Sequence, residues 1–137
     1  MNRFALSIQP PWTWAILHAG KDVENRAWRP PASVEFPFRL VIHASLTWDF
    51  ECIWLCRQNR RLGHILHKKG LTVPFQVPKG ALVGEVTVTN VVAYGGERLV
   101  ANPWAFGPWC WILADPVEYA EPIPYKGRLG LFEVEID

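Results

Sequence analysis

Twelve prolines are spread through the chain, from Pro10-Pro11 near the start to Pro122 and Pro124 near the end. Proline has no backbone N–H and a fixed φ, so it breaks helix interiors and is excluded from central strand positions. A chain punctuated this often is poorly suited to a helical bundle and favours short strands with tight connections. Eight tryptophans accompany the prolines. Indole is large and amphipathic, and it serves either the core or a flat binding platform. With 137 residues, half of them apolar and a fifth charged, the composition is that of one globular domain, residues 1–137.

Periodicity places the elements. Leu6-Ser7-Ile8 alternates as a strand. Trp12, Ala15, Ile16 and Ala19 recur at helical spacing, so a short helix is predicted over 11–19, opened by proline and closed at Gly20. Residues 22–28 alternate as an extended segment that puts Asp22, Glu24 and Arg26 on one face. Residues 30–38 read as a loop and 39–43 as a buried strand. Thr47 is the expected N-cap of a helix over 48–61, broken at Gly63 and resuming to Lys68. Strands are predicted over 81–92, 109–113 and 129–136, with irregular chain over 93–108. The fold class is α+β, mainly β: a small antiparallel barrel of five or six strands with two or three appended helices.

Four features bear on function. The first is Lys21-Asp22-Val23-Glu24-Asn25-Arg26, just after the first helix. Its spacing fits a solvated strand with a weak surface ion pair. Spacing alone favours that reading over the other one it allows, a polar pocket in which Glu24 orients Arg26, with a neighbouring cation tuning Lys21 as a base or nucleophile. The second is charge polarity. Between Cys52 and Gly84 there is no acidic residue, while Arg57, Arg60, Arg61, Lys68, Lys69 and Lys79 are all cationic. The net charge is only +1, which excludes a uniformly basic coat but not a local phosphate-tracking face. The third is aromatic: Trp12 and Trp104 each follow a proline beside a turn, and bases stack on such rings. The fourth is Cys52, Cys56, His64 and His67, whose spacing is too short for a zinc finger and reads better as buried cysteines on a helix stripe. No metal is expected. His43, at the end of a buried strand, is either a satisfied core histidine or a residue reaching the cleft. No phosphate-binding glycine loop, serine nucleophile elbow or dinucleotide fingerprint is present.

Several of these segments resemble one family. Leu6-Ser7-Ile8-Gln9-Pro10-Pro11-Trp12 followed by Gly20-Lys21-Asp22-Val23-Glu24-Asn25-Arg26 is similar to the ASCH superfamily, relatives of PUA RNA-binding domains. The family signature is Gly-x-Lys-x-x-Glu-x-Arg. Lys21, Glu24 and Arg26 fall on its charged positions, while Ala19 occupies the glycine position. Ile42-His43-Ala44-Ser45, Gly84-Glu85-Val86, Gly107-Pro108-Trp109 and Lys126-Gly127-Arg128-Leu129-Gly130 extend the resemblance over nearly the whole chain.

The resemblance implies a PUA-like pseudo-barrel with a cleft lined by the three charged residues. Its leading functional implication is an RNA- or nucleotide-binding domain. There Lys21, Glu24, Arg26, His43, Trp12 and Trp104 would hold a base, and Arg57, Arg60, Arg61, Lys68 and Lys69 would track the backbone. The alternative is a small hydrolase of modified nucleosides or RNA, with Lys21 as nucleophile or base. Glu24, Glu85 and Glu97 are its candidate carboxylates. Family members that hydrolyse N4-acetylcytidine carry threonine where this chain has Glu24. A third class is a protein-interaction adaptor using exposed tryptophan. No cofactor and no membrane partner are expected. Three cysteines without framework spacing, and no secretory or spanning segment, point to the cytoplasm.

Overall fold

The computed structural model describes residues 2–69, 77–95 and 99–136. Six strands and three helices follow in the order β1 (Asn2–Ile8), α1 (Trp12–His18), β2 (Val23–Arg26), β3 (Phe38–Ala44), α2 (Glu51–Gln58), α3 (Arg60–Lys68), β4 (Ala81–Ala93), β5 (Trp109–Pro124) and β6 (Leu131–Glu135). They form one six-stranded sheet in the order β2-β5-β4-β3-β1-β6. The fold is α+β and mainly β, a curled pseudo-barrel. Two details differ from the sequence expectation. The sheet is mixed, because β1 and β3 run parallel while every other pair is antiparallel. A parallel pair needs a long crossover, and the chain between Ile8 and Phe38 supplies it with α1 and β2. The sheet is also open: its edge strands β2 and β6 are not paired with each other. Its curl is nevertheless strong enough for Arg26 on β2 to donate a 2.8 Å hydrogen bond to the carbonyl of Ser7 on β1, four strands away.

Three apolar clusters hold this arrangement. The interior of the curled sheet is packed by Leu6, Ile8, Leu40, Ile42, Val86, Val88 and the fully buried Trp111. The reverse face carries Ala5, Val41, Leu82, Phe132 and Val134. Alternation along each strand produces this split. A second layer forms where α1 and α3 meet β2, β5 and the 99–105 loop, through Ala15, Ala19, Leu62, Leu66, Trp104 and Cys110.

β5 is much longer than the predicted 109–113. Beyond Ile112 its neighbour β2 has ended, so one side of the strand is unpaired. An unpaired edge is where proline is tolerated in a sheet, and Pro116, Pro122 and Pro124 all lie there. Register shifts against β4 let the long strand bend. The second helical region breaks at Asn59, not at Gly63. Asn59 Oδ1 caps α3 by accepting from the amide of Leu62 at 3.1 Å. Thr47 lies outside α2, whose first residue Glu51 instead donates its amide to Asp49 Oδ1.

Candidate functional site

The motif strand follows α1 through a tight turn. Gly20 adopts φ +74°, a left-handed conformation natural to glycine. Ala19, at the family's glycine position, has φ −118° and is buried, so an alanine is unstrained there. The turn delivers Lys21 into the interior, where it is only 6% exposed. Its ammonium donates to the carbonyl of Val23 and to Glu24 Oε1 at 3.1 Å. Glu24 Oε2 accepts from Arg26 Nε at 3.0 Å and lies 2.9 Å from Nη2 in an ion pair. One carboxylate thus bridges two cations, as the alternation of 22–26 allows, with Arg26 braced further by Ser7.

Beside this trio lies a cavity of ≈ 220 Å³. Trp12, Trp104, Phe106 and Leu55 supply its apolar walls, and Lys21, Glu24, Asn25 and Asp49 its polar groups. Trp12 is fixed by donating its indole N–H to Asp49 Oδ2 at 2.7 Å. Asp49 is in turn held by its own amide, which donates to the carbonyl of Pro10. The opposite wall is set by Asn25. Its Nδ2 donates to the carbonyl of Trp104 at 2.9 Å. Its Oδ1 accepts the amides of Phe106 and Gly107 at 2.8 and 2.9 Å. Asn102 adds to the brace by accepting the Trp104 amide and donating to Asp22. Asn25, Asp49, Phe106 and Leu55 were not singled out from sequence. Asn25 was visible within the motif, but nothing local reveals that its amide reaches a loop some 80 positions on.

The predicted site residues divide. Lys21, Glu24, Trp12 and Trp104 line the one cavity, and Arg26 stands behind Glu24, off the lining. His43 does not join them. It is buried, with Nδ1 2.9 Å from Ser7 Oγ and Nε2 2.7 Å from the carbonyl of Tyr125, and packs against Phe132. Glu85 is likewise elsewhere. It pairs across the sheet with Val41, so it points to the reverse face, where it meets Arg3 at 2.7 Å, Arg39 at 3.1 Å and the Tyr119 hydroxyl at 2.8 Å. Burial pushes its carboxyl up, but the Tyr119 hydrogen bond and the two guanidinium groups outweigh that and hold it below its ordinary value. A carboxylate so saturated and so placed cannot shuttle protons at the cavity. The Tyr119 phenol is pushed up by burial and by the adjoining carboxylate. The buried Cys110 thiol, raised by burial, lies 3.8 Å from Asn25 Oδ1 and is inert packing. Glu97 lies outside the described residues.

The cationic residues of the two helices are exposed: Arg57 on α2, with Arg60, Arg61, Lys68 and Lys69 on and just after α3, while Leu62 and Leu66 turn into the core. These helices adjoin the cavity: Leu55 of α2 lines it, and Arg61 donates to the carbonyl of Ala101 at 3.0 Å, on the loop leading to Trp104. His64 and His67 are exposed while Cys52 is buried. Among the described residues no cluster of His, Cys, Asp and Glu is arranged to hold a metal ion, and no helix is long and apolar enough to cross a membrane.

The profile of the ASCH domain matches residues 6–127, and the chain belongs to the ASCH domain family. Among solved structures it is similar to the crystal structure of ASCH from Zymomonas mobilis, with a TM-score of 0.51 and 14% sequence identity over 96% of this chain and 87% of that one. That similarity is one of fold. No curated protein matches the sequence.

Proposed function

We propose that this domain binds RNA or a nucleotide, holding one base in the cavity between Trp12, Trp104 and Phe106. The observation that carries the reading is an aromatic-walled pocket with a buried Lys–Glu pair among its polar groups, beside an exposed basic helix. At ≈ 220 Å³ it falls below the roughly 300–1,000 Å³ of drug-sized sites, a scale suited to a single base. Lys21 uses two of its three donors internally, leaving one N–H for a ligand acceptor. Among the described residues Glu24 Oε1 accepts from Lys21 alone, and it can take a ligand donor. A donor beside an acceptor is what the hydrogen-bonding edge of a base requires, and the flanking rings supply the stacking. Arg57, Arg60, Arg61, Lys68 and Lys69 then follow the phosphates of a longer strand.

The test is calorimetric titration of the protein with ribonucleosides and short single-stranded RNA. Phe106 is 45% exposed, so Phe106→Ala should fold, and it removes one stacking face. The expected loss is about 1–3 kcal/mol, roughly 5- to 150-fold in affinity. Absence of any binding by the wild type, or full affinity in Phe106→Ala and in Trp12→Phe/Phe106→Ala, overturns the proposal. The same samples are assayed for acetate release from N4-acetylcytidine; turnover abolished in Lys21→Ala would make the cavity catalytic.

A further inference from the structure

Resting on that reading of the cavity, we propose that Arg26 and the loop 126–128 form a phosphate subsite, which takes the phosphate ester of a nucleotide whose base lies in the cavity. The placement follows from strand geometry. The carbonyl of Ile8 accepts from the amide of Ser45, on the β3 side of β1. Successive carbonyls of a strand point to opposite sides, so the Ser7 carbonyl faces the β6 side. β6 begins at Leu131, opposite Leu6, so opposite Ser7 that strand has ended and the 126–130 loop runs instead. Into this opening comes the Arg26 guanidinium, donating to the Ser7 carbonyl.

The loop is pressed against the same residue. A Cβ on Gly127 would stand 2.6 Å from the His43 ring and 2.7 Å from Ser7 Oγ, so only glycine fits this approach. Lys126 and Arg128 flank it, both exposed. None of the ion pairs among the described residues involves either of them. Arg26 Nε and Nη2 are engaged, Nη1 makes no hydrogen bond among the described residues, and the side chain is 24% exposed. Among the described residues Glu24 is the one carboxylate ion-paired with Lys21 or Arg26, and none is ion-paired with Lys126 or Arg128, so the cations of these two segments outnumber their paired acids. An anion bridging Arg26, Lys126 and Arg128 relieves that imbalance, and a guanidinium edge paired with ammonium is suited to phosphate oxygens. Glu24 sits between the two subsites, with Oε1 at the cavity's Lys21 and Oε2 at Arg26.

The experiment compares the four ribonucleosides with their 5′- and 3′-monophosphates by calorimetry at low salt, on wild type and on Lys126→Glu/Arg128→Glu. Both substitutions are on exposed side chains and leave Gly127 in place. The expected result is a monophosphate bound about tenfold or more tighter than its nucleoside. That advantage should vanish in the variant, with nucleoside affinity unchanged and inorganic phosphate competing with the monophosphate alone. Equal affinity of nucleoside and monophosphate in the wild type, or an advantage that survives in the variant, overturns the subsite and leaves the base pocket standing. Binding of neither ligand by the wild type overturns both.

Discussion

Glu24 is the keystone of the charged trio, and its removal should expose an asymmetry that the geometry specifies. Glu24→Leu keeps approximate volume but leaves Lys21, whose side chain is 5% exposed, with only the Val23 carbonyl as partner among the described residues. A buried charge stripped of its counter-ion costs about 3–5 kcal/mol. Lys21→Met is different. The carboxylate keeps both Arg26 contacts at 2.9–3.0 Å, and Arg26 is solvated enough to share the charge. What is lost is chiefly the bond to the Val23 carbonyl and one arm of the pair, about 1–3 kcal/mol. Combining them as Lys21→Met/Glu24→Leu removes the stranded ammonium, so the double variant should be more stable than Glu24→Leu alone. For a domain of this size each kcal/mol moves the melting temperature by about 3–5 °C. Thermal and urea unfolding followed by circular dichroism measure all three. A Glu24→Leu variant within about 1 kcal/mol of wild type, or a double variant less stable than Glu24→Leu, would refute the reasoning, because the trio would then be solvated and uncoupled.

Three further outcomes are expected. Asn25→Ala loses the bonds to Trp104, Phe106 and Gly107. It should cost about 1.5–3 kcal/mol and speed hydrogen exchange at the Phe106 and Gly107 amides, while Asn25→Asp, which keeps the acceptor, should restore their protection; equal exchange in all three proteins would count against the loop brace. The Tyr119 hydrogen bond and the Arg3 and Arg39 guanidinium groups outweigh burial and hold the Glu85 carboxyl below its ordinary value. Its stabilisation is therefore present above the ordinary carboxylate range and lost as pH falls through the folded pKa, so the deficit of Glu85→Gln in urea melts should shrink as the pH is lowered through and below that range, and a deficit constant with pH would contradict the assignment. Arg60→Glu/Arg61→Glu should weaken RNA binding and lower the slope of log affinity against log salt by about 1.4, two phosphate contacts at about 0.7 each on a single strand; an unchanged slope removes α3 from the interface.

What local sequence determines here is periodic. A period of two places Glu24 and Arg26 on one side of an extended segment, and a period near 3.6 buries Leu62 and Leu66 while leaving the basic residues of α3 outside. Proline beside a turn marked Trp12 and Trp104, which line the same cavity although they are 92 positions apart (12 and 104). Tertiary structure decided the rest. Which face of β4 carries Glu85 depends on its register with Val41 and on the shift that precedes it, and one residue of slip sends a side chain to the other face. His43 ended in the core because Ser7 and the Tyr125 carbonyl satisfy both ring nitrogens, partners that only strand pairing and the returning loop bring together. β5 outran its prediction because its prolines sit on an edge left open by a four-residue neighbour, and edge status belongs to the sheet, not to the strand. Asn25 and Asp49 orient the cavity walls through bonds that span 79 and 37 positions. Periodicity is set by the neighbours a residue has along the chain; register, edges and long-range hydrogen bonds are set by neighbours it acquires only when the whole sheet curls.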